Sequence, residues 1–132
     1  MSTTKSRIGT ISLVAVPATD QDRSIEFYEA LGFEKRGRLT FPSAYNVYLG
    51  LPGDADRLEL TVNVGREEPY DIGTGYGHIA ITAEDLDGTL ARLKEQGIEP
   101  ERPPYTIREG GNRLCFVRDP DGYRVEILER SA

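Results

Sequence analysis

The chain repeats itself. Gly32-Phe33-Glu34 recurs as Gly97-Ile98-Glu99, Asp20 as Asp85, and Val14-Ala15-Val16 as Ile79-Ala80-Ile81, all at an offset of 65 residues without a gap. Farther along, Asp56-Arg57-Leu58-Glu59-Leu60 recurs as Tyr123-Arg124-Val125-Glu126-Ile127 at an offset of 67. The change of two residues is the size of a loop adjustment. One such unit cannot bury the inner face of a sheet alone, so two units are expected to pack together.

Each unit reads as strand, helix, then strands. Residues 11–16 are rich in β-formers and alternate, which predicts a strand that Pro17 closes. Asp20 or Asp22 caps a helix whose apolar positions are Ile25, Tyr28 and Leu31, and Gly32 stops it. In the second unit residues 78–82 form the strand. Asp85 or Asp87 caps a helix with Leu86, Leu90 and Leu93 on one face, and Gly97 stops it. Pro52-Gly53-Asp54 and Asp119-Pro120-Asp121-Gly122 supply turns before the last strand of each unit. The expected architecture is α+β: paired βαβββ modules curled around a cleft, with module 1 over about 8–64, a linker over 65–75, and module 2 over about 76–129, all in one domain.

Bulk properties narrow the function. With 132 residues the chain buries a real core without staples. The net charge is −6 and no run of Lys or Arg exists, which argues against nucleic acid and anionic membrane as partners. A single cysteine, Cys115, excludes an internal disulfide and fits a reducing cytoplasm. No apolar stretch approaches the roughly 20 residues that span a bilayer. Met1 to Arg7 is polar and lacks the apolar core of a signal peptide.

The repeat also marks a constellation. The one histidine, His78, lies in Gly75-Tyr76-Gly77-His78-Ile79-Ala80-Ile81. Its mate at the 65-residue offset is Leu13, and the mate of Glu126 is Glu59. Pseudo-symmetry predicts four equivalent inward positions, three of which bind metal. A divalent ion held by imidazole and carboxylates keeps positions open for water or substrate. Such an ion polarises vicinal oxygens, and a carboxylate beside it takes a proton from the carbon between them. Singly, a glutamate in an alternating strand is a solvent-side residue, since Glu is almost never fully buried unless paired. Two glutamates after Arg-(Leu/Val) at matching places are less easily explained that way.

These residues resemble the vicinal oxygen chelate superfamily, and within it glyoxalase I (the lactoylglutathione lyases). The resemblance runs from about Ile8 to Glu129. It rests on residues 22–28 with Leu31-Gly32-Phe33, on Leu58-Glu59-Leu60-Thr61-Val62-Asn63, on residues 73–80, and on residues 119–126. It implies a nickel, cobalt or zinc ion held by Glu59, His78 and Glu126. It implies a proton moved by Glu126, with Glu59 as the other candidate, and a thiol conjugate contacted by Asn63 and Arg108. It further implies a small-molecule substrate and a homodimer with sites built across two chains. The reaction implied converts the hemithioacetal of a 2-oxoaldehyde into a 2-hydroxyacyl thioester.

One corner departs from that pattern. The first ligand of the family is a histidine or glutamine on the opening strand, where this chain has Leu13 in the ungapped register, or Ile11 if the residues at 17–19 are an insertion. Ser12 is a weak donor if the register slips. Losing one ligand loosens metal binding by one to two orders of magnitude or more, by analogy with outer-shell losses. This departure keeps a second function class open: a metal-free binding protein of the same fold that sequesters a small molecule such as an antibiotic. A metal-dependent oxygenase or thiol transferase ranks last, since those relatives use two histidines. Gly73-Thr74-Gly75-Tyr76-Gly77 lacks the Lys-Ser/Thr ending of a phosphate loop and reads as linker. Cys115 reads as inert core. The tyrosines read mostly as half-buried strand residues.

Overall fold

The computed structural model describes residues 7–130. Met1 to Ser6, part of the polar start noted above, lie outside the described residues. The order is β1 (Val14–Pro17), α1 (Gln21–Ala30), β2 (Glu34–Thr40), β3 (Ala44–Gly50), β4 (Leu58–Asn63), β5 (Ile79–Ala83), α2 (Leu86–Glu95), β6 (Leu114–Arg118) and β7 (Arg124–Glu129). Two mixed sheets result, ordered β1-β4-β3-β2 and β5-β7-β6. The first strand of each half runs parallel to the last, and the remaining pairs are antiparallel.

The first of each pair of candidate caps is the one used. The Asp20 carboxylate accepts from the Arg23 N–H at 3.2 Å, and Asp85 from the Gly88 N–H at 2.9 Å. Gly32 and Gly97 stop the helices with φ of 104° and 78°, values that an L side chain rarely adopts.

Two expectations need correction. The opening strand begins at Val14, not Ile11, because β4 offers partners only from Leu58 onward. Before that point Arg57 holds the chain instead, donating to the Ile11 and Ser12 carbonyls at 2.7 and 3.3 Å. The second half carries three strands and not four. Its missing strand is reduced to a single bridge, Tyr105 with Leu114. Pro100, Pro103 and Pro104 remove backbone donors from that segment, so a continuous ladder has nothing to pair with.

One apolar core joins both halves. The first sheet contributes Val47, Leu49, Leu58 and Leu60, the second Cys115, Val117, Val125 and Ile127, and the helices Phe27, Tyr28, Leu86 and Leu93. Each such Leu or Ile stabilises by about 1.5–3 kcal/mol on burial. Strand alternation therefore points the intervening residues away from the core.

The halves are joined by a buried polar staple. Tyr28 donates its hydroxyl to Asp119 Oδ2 at 2.7 Å, and Asp119 Oδ1 accepts from the N–H groups of Asp121 and Tyr123, both at 2.9 Å. Asp121 in turn accepts from the Thr19 and Ser24 hydroxyls at 2.7 and 3.3 Å. Burial raises the Asp119 carboxyl above its ordinary range and the Tyr28 hydroxyl well above its own. Replacing Tyr28 with Phe leaves a buried carboxylate short of a donor, so the variant should lose about 1–3 kcal/mol in urea unfolding. A variant as stable as the parent would mean the staple contributes nothing net.

Candidate metal centre in two halves

Cross-strand register decides what stands on the outward face of each sheet. In the first sheet Ala15, Glu59 and Tyr48 form one row across β1, β4 and β3. In the second, Ala80, Glu126 and Phe116 form the equivalent row across β5, β7 and β6. Leu13 stands two residues before Ala15, and His78 two residues before Ala80, which puts each on the same side as its glutamate. Leu13 directly precedes β1 as His78 directly precedes β5, which fits the ungapped repeat, whereas Ile11 is 78% exposed.

In the second half the donors meet. His78 Nε2 lies 3.2 Å from Glu126 Oε1, with side-chain exposures of 39% and 14%. Two donors bound to one ion at about 2.1 Å stand roughly 3.0–3.4 Å apart, so this pair suits a shared metal. The imidazole is set by its neighbours. Its ring meets Phe116 edge-on with centroids 5.1 Å apart, and the Arg124 guanidinium covers the same Phe116 at 4.0 Å. Glu101 grips Arg124 through Nε and Nη2, both at 2.9 Å, and these hydrogen bonds hold the Glu101 carboxyl below its usual range. Upstream, the Tyr76 hydroxyl donates to the Arg124 carbonyl at 3.0 Å and pins the segment that delivers His78. A Cβ at Gly75 or Gly77 would meet nothing within 4 Å, so these glycines serve the linker and not a close backbone approach.

Glu59 does not join that pair. Among the described residues no three His, Cys, Asp or Glu side chains gather into a metal-holding group. One chain thus does not bring Glu59 together with the His78–Glu126 pair. The reason lies in the alternation: the apolar faces meet at the core, which turns both glutamate faces outward and away from it. Asn63 lies on the Glu59 face, four residues farther along β4, and donates to the Tyr70 hydroxyl at 2.8 Å. Arg108 lines an open cleft of about 350 Å³ with Leu114 and Leu128, which neighbour the Glu126 row. A separate apolar cleft, also about 350 Å³, opens between the β1 and β5 edges and includes Val14, Ile79 and Ile81 but neither glutamate. Cys115 is buried and burial pushes its thiol up to about 11, which leaves it unreactive at neutral pH.

A sequence model described as Glyoxalase/Bleomycin resistance protein/Dioxygenase superfamily matches residues 10–127. The chain belongs to this superfamily. A lactoylglutathione lyase of Arabidopsis thaliana is 37% identical over 116 residues, covering 84% of this chain but 41% of that protein. A probable lactoylglutathione lyase of Synechocystis sp. is 33% identical over 118 residues, covering 86% of this chain and 89% of that one. The chain spans less than half the length of the plant relatives it resembles. Among solved structures, glyoxalase I from Zea mays superposes with a TM-score of 0.83 at 31% identity, over 92% of this chain and 45% of that chain. The trypanothione-dependent glyoxalase I of Leishmania major gives 0.77 at 32% identity, over 92% and 87%.

Phe116 and Tyr48 belong to no motif that singles them out in the sequence. The signal that finds them is cross-strand pairing: each is the residue directly opposite a repeat-mated glutamate.

Proposed function

We propose that the protein is a lyase of the lactoylglutathione lyase type, acting as a homodimer on the hemithioacetal of a 2-oxoaldehyde and a thiol. The observation that carries this reading is the His78–Glu126 contact, set on the outward face opposite a repeat-mated half-site that presents Glu59. Glu59 of one copy, with His78 and Glu126 of a second, would hold a nickel, cobalt or zinc ion. When bound, such an ion polarises the adjacent hydroxyl and carbonyl oxygens of the substrate. Glu126 takes the proton from the carbon bearing the sulfur and hydroxyl and delivers it to the neighbouring carbon, with Glu59 as the other candidate for that transfer. Hydrogen moves from one carbon to the next, so no oxidant or reductant is consumed. Asn63 and Arg108 flank the two faces as contacts for the thiol conjugate.

Two features support assembly from two copies. The β1 and β5 edges each have a strand on one side only, and unpaired edges are covered in stable proteins. Val14 on β1 is 41% exposed and Ile11 just before it 78%. Among the described residues no helix is long and apolar enough to cross a membrane. The one cysteine, Cys115, is a free thiol, which supports a reducing cytoplasm as the setting.

Leu13 favours a second reading, a metal-free small-molecule binder, because it leaves the fourth corner apolar. Metal content after incubation with nickel, cobalt or zinc separates the two. About one ion per chain, with turnover of a 2-oxoaldehyde and a thiol, supports the lyase. A protein that stays empty and inactive leaves the binder.

A further inference from the structure

The half-site around Glu59 is not a plain copy of the one around Glu126. The residue opposite Glu126 is Phe116, whose ring touches His78. The residue opposite Glu59 is Tyr48, so the same position carries an aromatic ring with a hydroxyl. Its neighbours differ in kind too. In the next row the second half has Leu128 and Leu114, whereas the first has Thr61 and Asn46.

Those polar residues form a chain that ends on the tyrosine. The Thr61 hydroxyl donates to Asn46 Oδ1 at 3.0 Å, and Asn46 Nδ2 donates to the Tyr48 hydroxyl oxygen at 3.2 Å. An amide nitrogen only donates, so Tyr48 is the acceptor in that bond and its own proton is left for another group. Space exists for one. Tyr48 shares an open cleft of about 580 Å³ with Leu13 and Ser12. Beside it, β2 contributes Gly37, where even a Cβ would meet nothing within 4 Å. The Glu59 carboxylate lies in the same row, with Cβ atoms about 5 Å apart in such a pair.

We infer that Tyr48 is a substrate-binding, specificity-determining residue of the Glu59 half-site. Its hydroxyl, aimed by the Thr61–Asn46 relay, donates a hydrogen bond to the carbonyl oxygen of the bound hemithioacetal, at the corner that Leu13 leaves without a polar group. The inference rests on the lyase reading and gives a physical use to an arrangement which that reading does not require. A site built around a donor discriminates against substrates that lack the matching acceptor.

The test uses Tyr48→Phe, Asn46→Asp and the double variant, with metal content, melting temperature, kcat and KM measured on each. Tyr48→Phe should lower kcat/KM roughly tenfold with metal content unchanged. Asn46→Asp keeps the size but turns the relay round, since a carboxylate only accepts and so takes the Tyr48 proton. It should match the Tyr48→Phe loss, and the double variant should be no worse than either single one. Wild-type-like kcat/KM in Tyr48→Phe, a lowered melting temperature without a kinetic change, or losses that multiply in the double variant would each overturn the inference while leaving the lyase intact. A wild-type protein that carries metal but turns over no hemithioacetal overturns the lyase reading and this inference together.

Discussion

His78→Ala should empty the metal site. His78 is the only imidazole in the chain, and its Nε2 stands 3.2 Å from the Glu126 oxygen with which it would share an ion. Without it two carboxylates remain, a donor set suited to magnesium, calcium or manganese more than to nickel, cobalt or zinc. Outer-shell partners alone cost about 10–100-fold in affinity, and a lost ligand should exceed the upper end of that range. The structural cost is small: the side chain is 39% exposed, and its removal opens no cavity in the core. Elemental analysis after dialysis should thus find about one ion per chain in the parent and nearly none in the variant, with turnover falling at least about a hundredfold. Full occupancy in His78→Ala would remove this residue from the metal centre.

Leu13→His should do the opposite. Residue 13 directly precedes β1 as His78 directly precedes β5, each two residues before the alanine that faces the glutamate. Leu13 is half-buried and outside the core, so an imidazole replaces an isobutyl group without disturbing the core. A fourth ligand should tighten nickel or zinc by roughly 10–100-fold. Tyr48, the counterpart of Phe116, should pack edge-on against the new ring as Phe116 does against His78. Competition against a chelator of known affinity reads the change directly. An unchanged affinity in a folded variant would mean that the two half-sites do not present equivalent corners to one ion.

The modules were legible in the sequence because the signals that form them are local and doubled. Asp20 and Asp85 cap, Gly32 and Gly97 stop, and both glutamates follow Arg-(Leu/Val). What was not legible is how the halves face each other. A single alternating strand such as Leu58-Glu59-Leu60 shows that glutamate and leucine part company, but not which face meets the partner module. The residues flanking each glutamate, Leu58 and Leu60 in one half and Val125 and Ile127 in the other, join one core, and the glutamates turn outward. The reduced fourth strand was written in Pro100, Pro103 and Pro104, whose lost N–H groups outweigh the symmetry of the repeat. The staple between Tyr28 and Asp119 bridges two recognisable motifs, yet a separation of 91 positions hides the contact from any local pattern.

The central claim is that Glu59 acts with His78 and Glu126 of a second copy. Two inactive variants, Glu59→Gln and His78→Ala, test it when denatured together and refolded as a mixture. In a mixed dimer one site receives both substitutions and the other receives neither. With half of the dimers mixed and one intact site in each, activity should return to about a quarter of wild type. Glu59→Gln and His78→Ala refolded separately should stay inactive. A mixture no more active than its components, with mixed dimers shown to form, would contradict a site shared between chains.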